Sequence, residues 1–524
     1  MARVAAVKPT LVGWKLGPTP HESALHVTNR IGAARHASGG RCRAGRRKRR
    51  DDRRGNGPGR QTRVGVDIFR PHGAAAGNQG ARLGHGVAGG RGHRAVGRRK
   101  VALWMETLEP GKPLEMTVSS GDQTISLKDV LVGDVWIASG QSNMEWPVGA
   151  ALNPDAEIAT ADWPEIRIID VPNVPSDEPK QSFESAGWQP CKPETIKSFS
   201  AVAYYFGRHL HKELHVPIGL IGCNWGGTPM EAWTSREALE SSETFRPIVE
   251  AAAAPPKDDA EADQRRKLAM HQPAALFNGM LSPVIPYAIR GAIWYQGESN
   301  ASRHAQYAEL SKLMVSDWRN RWGQGDFPFL LVQLAAFEPG GDNWPPLREA
   351  QLQTLELPKT GMAVAIDIGD KTDIHPRNKQ EVGRRLALAA LAIAHGKDLV
   401  YSGPIYRKMA VDDGAVRLSF DHIGGGLKAD GELKGFEIAG PDGKWVPAKA
   451  AIDGAQVVVS ADGVADPKAV RYSWSAYPDG NLFNAEGLPA SPFRTGEVEA
   501  PAEPAEAPAA SSEKPEAAPT NPRN

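Results

Sequence analysis

The amino-acid sequence predicts an α/β protein: a three-layer α/β/α domain with a mostly parallel sheet, flanked by a truncated N-terminal β-region and a C-terminal β-sandwich. Over residues 131–396, short strands that are apolar throughout alternate with amphipathic helical patterns, which is typical of a parallel sheet covered on both faces. Over residues 397–496, short strands at close spacing are separated by Gly, Asp and Pro turns, which favours a sandwich. With 524 residues, 41% of them apolar, the chain is long enough for several cores.

The first hundred residues have a composition unlike the rest. They contain 23 Lys and Arg but four Asp and Glu, and they show neither a helical nor a strand period. We therefore expect a disordered basic segment over 1–100. We interpret its composition, rich in Gly, Arg, Ala and His, as the result of out-of-frame translation. Clustered arginines can bind phosphate, but no aromatic residues are interleaved with them, so we expect no nucleic-acid partner. The residues after Met1 give no convincing signal peptide.

The remaining segments complete the predicted order. Residues 101–130 alternate apolar and polar positions and read as the remnant of a β-region, and residues 497–524 form a Pro/Ala/Glu-rich tail that we expect to be disordered. A polar, proline-broken stretch at about 240–272 reads as an exposed insertion in the central domain. No apolar run approaches the roughly 18 residues that span a bilayer, so we expect no membrane partner. Three cysteines neither form a disulfide framework nor have metal-site spacing.

The central domain is predicted from its strands and helices in turn. The candidate strands, in chain order, are 132–138, 166–170, 217–222, 289–295, 329–334 and 362–368. Amphipathic helices are predicted over 201–214, with one apolar face, and over 380–396, where Gly396 closes the pattern.

Glycine-bearing or polar segments follow four of these strands: SGQSNMEW, CNWGGTPMEAW, YQGESNA and DKTDIHPRNK. Loops at the carboxyl ends of parallel strands converge at one edge of the sheet, where ligands bind. Taken singly, each loop has a structural interpretation, since Ser142 to Glu145 and Thr228 to Glu231 both have the spacing of a helix capping box. Taken together, they supply a nucleophile, a base and oxyanion donors, which favours ester hydrolysis.

The motifs GQSNMEWPV, NWGGTPMEAW, WYQGESNA and DIHPRNK resemble the sialate O-acetylesterase branch of the SGNH hydrolase superfamily, over residues 103–495. The resemblance implies an SGNH-type central domain and a carbohydrate O-acetylesterase that works through an acetyl-serine intermediate. It implies an O-acetylated sugar or glycan as substrate and an extracytoplasmic location. The sequence itself indicates no cofactor.

The resemblance also implies the catalytic residues. Ser142 is the nucleophile and His375 its general base, a role for which an imidazole with a pKa near 6.5 is suited. Asp373 orients His375, although it stands two residues before the histidine, where the superfamily has its aspartate three residues before. Asp370 and a backbone carbonyl are the alternatives for this orienting role.

The oxyanion hole implied by the resemblance consists of the Ser142 amide, a backbone amide at Gly226 or Gly227, and the Gln296 side chain. Losing one such donor typically costs roughly 3 to 4 kcal/mol of barrier, so Gln296→Ala should be slow rather than inactive.

Sugar contacts are expected from residues beside these loops, with the aromatic Trp146, Trp225 and Tyr295 and the acidic Glu298 as the candidates. His211 and His215 have the i, i+4 spacing of a metal pair, but with no third ligand we expect no metal site. Two other functions stay open: an acetylesterase for acetylxylan or another polysaccharide, and a non-catalytic carbohydrate-binding protein. The sequence indicates no oligomeric state.

Overall fold

A long strand leads the chain into the central sheet. In this computed structural model, the described residues are Pro110, 113–120, 123–285, 287–496 and two short N-terminal strands, β1 (Val4–Ala6) and β2 (His26–Arg30). Strand β3 (Leu114–Ser120) pairs antiparallel with β2 and with the first part of β4 (Gln123–Gly140), and β1 also pairs with β4. The rest of the predicted basic segment 1–100 and the tail 497–524 lie outside the described residues.

The second part of β4 is the middle strand of a mostly parallel sheet. The other strands of this layer are β5 (Trp163–Asp170), β6 (Gln189–Cys191), β7 (Ile218–Asn224), β8 (Gly291–Tyr295), β9 (Phe329–Gln333) and β10 (Thr360–Val364). Their spatial order is β10-β9-β8-β4-β7-β5-β6, and β6 is the antiparallel member. The predicted fold class is confirmed. The last predicted strand is shorter than expected, because residues Ile366–Ile368 turn into a 3-10 helix.

Helices cover both faces of the sheet. They are α1 (Ser142–Glu145), α2 (Pro154–Ala159), α3 (Pro193–Ile196), α4 (Ala201–Leu214), α5 (Arg236–Ser241), α6 (Arg246–Ala253), α7 (Asp259–Lys267), α8 (His304–Trp322), α9 (Trp344–Leu352) and α10 (Lys379–His395). Short 3-10 helices lie at Val148–Ala150, Met230–Trp233, Ala269–His271, Glu298–Arg303, Glu338–Asn343 and Gln353–Glu356, and a π-helix lies at Phe277–Leu281.

Two tryptophans show how the layers pack. Trp136 on β4 meets Phe206 of α4 edge to face, whereas Trp294 on β8 meets Trp318 of α8. Because Gly291 lies opposite Trp136 in the parallel register and side chains alternate along a strand, Trp294 points to the other face of the sheet. All four side chains are buried, so the core occupies both sides of the sheet, as three-layer packing requires.

The polar segment at about 240–272 is folded into helices. It contains α6 and α7, and none of the residues of α7 is buried. Asp258 caps α7 by accepting a hydrogen bond from the Glu261 backbone amide, and Glu261 accepts in return from the Lys257 amide and pairs with Arg265 one turn later. Capping and ion pairs therefore support a surface helix that a hydrophobic period could not reveal.

Residues after α10 form antiparallel sheets with a separate core. The strands are β11 (Ile405–Asp412), β12 (Ala415–Asp421), β13 (Leu427–Lys428), β14 (Phe436–Ala439), β15 (Trp445–Pro447), β16 (Lys449–Asp453), β17 (Gln456–Ser460), β18 (Ala469–Tyr472), β19 (Phe483–Asn484) and β20 (Phe493–Arg494). Two sheets have four strands each, β11-β12-β17-β16 and β15-β14-β18-β20, and β13 pairs with β19. The buried guanidinium of Arg348 on α9 joins this region to the central domain by donating to the carbonyls of Ser475 and Ala476.

Candidate active site

The polar loops begin at the same edge of the sheet. Gly140, the last residue of β4, lies opposite Asn224 at the end of β7 and Tyr295 at the end of β8. Because β4 is flanked by β7 on one side and by β8 on the other, its carboxyl end lies at the point where the strand order reverses, where open α/β sheets bind ligands. Gly140 has a φ of +137°, and a Cβ there would lie 2.1 Å from the Tyr295 carbonyl oxygen. Only glycine allows this approach.

Ser142 and His375, which are 233 positions apart in the sequence, meet at this edge. Ser142 is the first residue of α1 and is partly exposed, and its Oγ lies 2.8 Å from Nε2 of His375. The indole of Trp146 stacks on the imidazole, with 4.7 Å between ring centroids and 15° between planes, and so fixes the ring's orientation. At this distance an imidazole can accept the serine proton during attack on a carbonyl carbon.

The Asp373 carboxylate lies beside the other ring nitrogen of the histidine. Asp373 Oδ1 is 3.4 Å from His375 Nδ1 and accepts a hydrogen bond of 2.8 Å from the His375 backbone amide. Its side chain is 54% exposed, so water screens the charge. Asp370, the alternative, accepts from the Thr372 and Asp373 amides and stabilises the turn, and these bonds lower the pKa of its carboxyl. Of the two carboxylates, Asp373 is the one that lies beside the ring.

Burial lowers the pKa of His375, and the charge of Lys379 lowers it further, while the Asp373 carboxylate acts in the opposite direction. The side chain is 21% exposed. An imidazole with a lowered pKa is neutral at neutral pH, which is the form that accepts a proton.

Glu145 does not form the capping box that its spacing from Ser142 allows. Its Oε2 accepts a hydrogen bond of 2.7 Å from the Gly226 amide, and its Oε1 accepts from Asn173. The second capping-box spacing is not realised either, since Thr228 Oγ1 donates to the Trp225 carbonyl. Glu145 instead holds the loop after β7 against Ser142, so that a Cβ on Gly226 would lie 3.2 Å from Cβ of Ser142.

The hydrogen bond from the Gly226 amide to Glu145 distinguishes between the two glycines that the sequence suggests for the oxyanion hole. The Gly226 amide is used by Glu145, whereas within the described residues the Gly227 and Ser142 amides have no hydrogen-bond acceptor. Gly227 is exposed, has a φ of +72° and has open space where a Cβ would be. The Ser142 amide lies at a helix N-terminus, and the Gly227 amide directly follows Gly226, which lies against Ser142, so these amides can stabilise an oxyanion.

The structure places Gln296 differently from the sequence expectation. Its side chain is fully buried, and its Nε2 donates to Asn300 Oδ1 at 2.7 Å and to the Thr228 carbonyl at 3.3 Å. Its Oε1 accepts from the hydroxyl of Tyr307. Both amide hydrogens are therefore used inside the protein, so the expectation of an oxyanion donor at Gln296 is corrected: in this structure it braces the loop after β8.

Two of the four expected sugar contacts are partly exposed, and the structure places the other two in the protein interior. Trp146 and Trp225 are partly exposed beside Ser142 and Gly226, so both can meet a ligand. Tyr295 is 0% exposed, and its contact with a sugar is corrected, since it belongs to the core. Glu298 is also corrected as a sugar contact, because its Oε1 accepts from Asn143 at 2.6 Å and its Oε2 is buried.

Sequence reasoning missed Asn143 and Lys379 as members of the site. Asn143 follows Ser142 and is buried, and Lys379 donates a hydrogen bond to its Oδ1. Both residues stand inside motifs that were singled out. The available signal was a lysine in the first turn of a helix, where the helix dipole disfavours a cation.

The described residues also bear on metal binding and on membrane insertion. In the part of the chain that the structure describes, no group of three or more His, Cys, Asp or Glu could hold a metal ion. The Nδ1 of His211 lies 2.8 Å from the Val216 carbonyl, and His215 ends α4. Across the same residues, no helix has the length and apolar character needed to cross a membrane.

Comparisons with known proteins agree with this geometry. A family profile described as carbohydrate esterase, sialic acid-specific acetylesterase, matches residues 132–392. The sialate O-acetylesterase of Homo sapiens is 32% identical over 441 residues, covering 74% of this chain and 81% of that protein, and the Rattus norvegicus enzyme is 30% identical over 456 residues, with 74% and 83% covered. The crystal structure of a carbohydrate acetylesterase from Xanthomonas citri superposes with a TM-score of 0.68 at 40% identity, covering 75% of this chain and 87% of that one. The resemblance carried by the four motifs is confirmed, and the chain belongs to the sialate O-acetylesterase family of carbohydrate esterases.

Proposed function

We propose that this protein removes O-acetyl groups from sugars through an acetyl-serine intermediate, and that O-acetylated sialic acid is its preferred substrate. The observation that carries the proposal is the 2.8 Å contact between Ser142 Oγ and His375 Nε2, in a site whose Ser142 and Gly227 amides have no acceptor among the described residues. A non-catalytic sugar-binding protein would have no use for this arrangement.

The geometry supports the following steps. His375 Nε2 takes the proton of Ser142 as Oγ bonds to the acetyl carbon, and the carbonyl electron pair moves to an oxygen held by the Ser142 and Gly227 amides. When this intermediate collapses, the bond to the sugar oxygen breaks, and the imidazolium returns its proton to that oxygen. Water then attacks the acetyl-serine, His375 takes the water's proton, and acetate leaves as Ser142 Oγ is protonated again.

The acetyl chemistry and the choice of sugar rest on different observations. Ser142, His375 and the amides can act on any accessible acetyl ester. Sialic acid is proposed because the mammalian relatives at 30–32% identity are sialate O-acetylesterases. The partly exposed Trp146 and Trp225 are proposed as the surfaces against which the sugar ring lies.

Acetate release from 9-O-acetylated sialic acid and from acetylxylan, measured side by side, tests the proposal. We expect turnover of the sialic acid derivative with a higher kcat/KM, and loss of nearly all of it in Ser142→Ala. Preference for acetylxylan would overturn the sugar assignment, and no release from either substrate would overturn the esterase.

We also propose, from the family resemblance, that the protein works outside the cytoplasm. Fractionation of cells that express the full chain tests this, with recovery in the periplasm or medium as the expected result. Recovery in the cytoplasm alone would contradict it.

A further inference from the structure

Asn143 is a junction between three loops of the site. It directly follows Ser142, and its side chain is 1% exposed. Its Nδ2 donates to Glu298 Oε1 at 2.6 Å and to the carbonyl of Ile374 at 3.0 Å. Because Ile374 directly precedes His375, this one side chain ties the nucleophile's helix to the loop of the base and to the loop after β8.

Lys379 completes the junction from α10. Its side chain is 0% exposed, its ammonium donates to Asn143 Oδ1, and it lies 5.3 Å from the Tyr295 ring centroid and 5.9 Å from that of Trp146. Within the described residues it forms no ion pair with a carboxylate. Burying an ammonium with one hydrogen bond and two ring contacts costs free energy, and its position in the first turn of a helix adds to that cost.

Glu298 balances this charge from the opposite side of Asn143. Burial raises the pKa of its carboxyl and lowers the pKa of Lys379 to about 7, and the two charges partly offset each other's burial. A structural role alone would be served more cheaply by apolar side chains of the same size. A buried ammonium and a buried carboxyl, one on each side of the residue that follows Ser142, point to function.

We propose that Lys379 and Glu298 are positioning residues that hold Asn143, and through it set the alignment of Ser142 with His375. The inference rests on the proposed esterase function. The charged groups that act on His375 are Lys379 on α10 and Asp373 on its own loop, and those that act on Lys379 are Glu298 and Asp373.

The experiment compares Lys379→Met with Lys371→Met in the full chain, using 4-nitrophenyl acetate. Both lysines stand four positions from His375, but Lys371 is exposed and pairs with Glu338 at the surface, so it controls for loss of a charge nearby. For Lys379→Met we expect kcat to fall about 10- to 100-fold, the scale of a misplaced catalytic group, with KM within about threefold. The acid limb of kcat/KM should move to higher pH, because a cation that lowers the His375 pKa is gone.

Lys379→Gln is the second variant, and it retains a donor for Asn143 without the charge. It should recover part of the lost kcat while keeping the displaced acid limb. If Lys379→Met does not fold, Lys379→Gln and Glu298→Gln carry the test, and thermal unfolding checks each protein. Glu298→Gln keeps an acceptor for Asn143 and should lose less kcat than Glu298→Leu.

The outcomes separate the two proposals. If the wild-type protein does not hydrolyse the ester, the proposed function fails. If the wild type is active and the Lys379 variants match Lys371→Met in kcat and in pH profile, the positioning role is overturned. A fall in thermal stability with an unchanged kcat and acid limb would also overturn it.

Discussion

Two histidine–aspartate pairs lie at opposite ends of the same sheet. At the carboxyl ends of the strands, His375 Nδ1 is 3.4 Å from Asp373, and at the other end His395 Nε2 is 3.1 Å from Asp134 Oδ2. The second pair is the shorter and the more buried of the two. Neither the distance within a pair nor the burial of its side chains therefore identifies which pair is the proposed catalytic one.

The surroundings of the two pairs differ. His375 presents its second nitrogen to the Ser142 hydroxyl, next to free amides. His395 presents its second nitrogen to a guanidinium, since Arg290 Nη2 lies 3.4 Å from His395 Nδ1 and also donates to the Ala394 carbonyl. What makes one pair a site is the hydroxyl and the amides that the loops after β4 and β7 bring to it. The other pair joins α10 to the start of the sheet.

The largest difference between the pairs should appear on removing the imidazoles. We expect His375→Ala to lower kcat roughly 10³- to 10⁵-fold, because Ser142 loses its base. His395→Ala should leave kcat within about threefold but lower the free energy of unfolding by about 1–3 kcal/mol, since a buried carboxylate loses a partner. Steady-state kinetics and chemical denaturation measure both. Equal loss of kcat in the two variants would abolish the distinction.

Substituting the two aspartates should produce a smaller difference in kcat than substituting the two histidines. Asp373→Asn keeps the acceptor for the His375 amide but loses the charge beside Nδ1, so kcat should fall roughly 10- to 100-fold, less than the ~10⁴-fold known for a buried triad aspartate. The acid limb should move to lower pH, because the carboxylate raises the His375 pKa. Asp134→Asn serves as the matched control, with an unchanged kcat and reduced stability. If kcat and the acid limb of Asp373→Asn matched those of the wild type, the carboxylate would not orient His375. The backbone and the stacked Trp146 would then hold the ring.

Gln296→Ala tests whether the Gln296 amide acts as an oxyanion donor at the site or supports the protein interior beneath it. An oxyanion donor predicts a loss of about 10²- to 10³-fold in kcat, whereas the hydrogen bonds to Asn300 and Thr228 predict less than about tenfold, with about 1–3 kcal/mol lost in unfolding free energy. Gln351→Ala is the control, because Gln351 donates to the Gln296 carbonyl in the same interior. A much larger kcat loss in Gln296→Ala than in the control would restore the catalytic role.

The smallest expected effect is on pH dependence. The proposed mechanism requires neutral His375, so it predicts that kcat/KM rises with pH through the pKa of that imidazole. Because burial lowers this pKa from its ordinary 6.5, the midpoint of the acid limb should lie below pH 6.5. His395→Ala should have the same midpoint. A midpoint above 6.5 in the wild type would contradict the described surroundings of His375.

The sequence predicted the fold and the Ser142–His375 meeting for the same reason. Apolar strands followed by polar loops place residues at one edge of a parallel sheet, whatever the distance between them along the chain. The pattern cannot tell which amide at that edge is free. The choice between Gly226 and Gly227 depends on Glu145 crossing to the Gly226 amide, which is a tertiary contact between distant segments.

Local spacing was a poor guide where tertiary partners compete for the same groups. Ser142 to Glu145 and Thr228 to Glu231 have capping-box spacing, yet both glutamates bind elsewhere. Asp258 to Glu261 has the equivalent spacing in an exposed segment, where Glu261 uses one oxygen for the Lys257 amide and the other for Arg265, and there the cap forms. Gln296 likewise has its amide claimed by Asn300, which the fold brings next to it.

The most direct test of the central claim is fluorophosphonate labelling of the full chain, with the modified peptide located by mass spectrometry. The arrangement of Ser142, His375 and the free amides predicts one covalent adduct on Ser142, lost in Ser142→Ala, strongly slowed in His375→Ala and unaffected in His395→Ala. An adduct on another residue, or labelling that does not depend on His375, would contradict it.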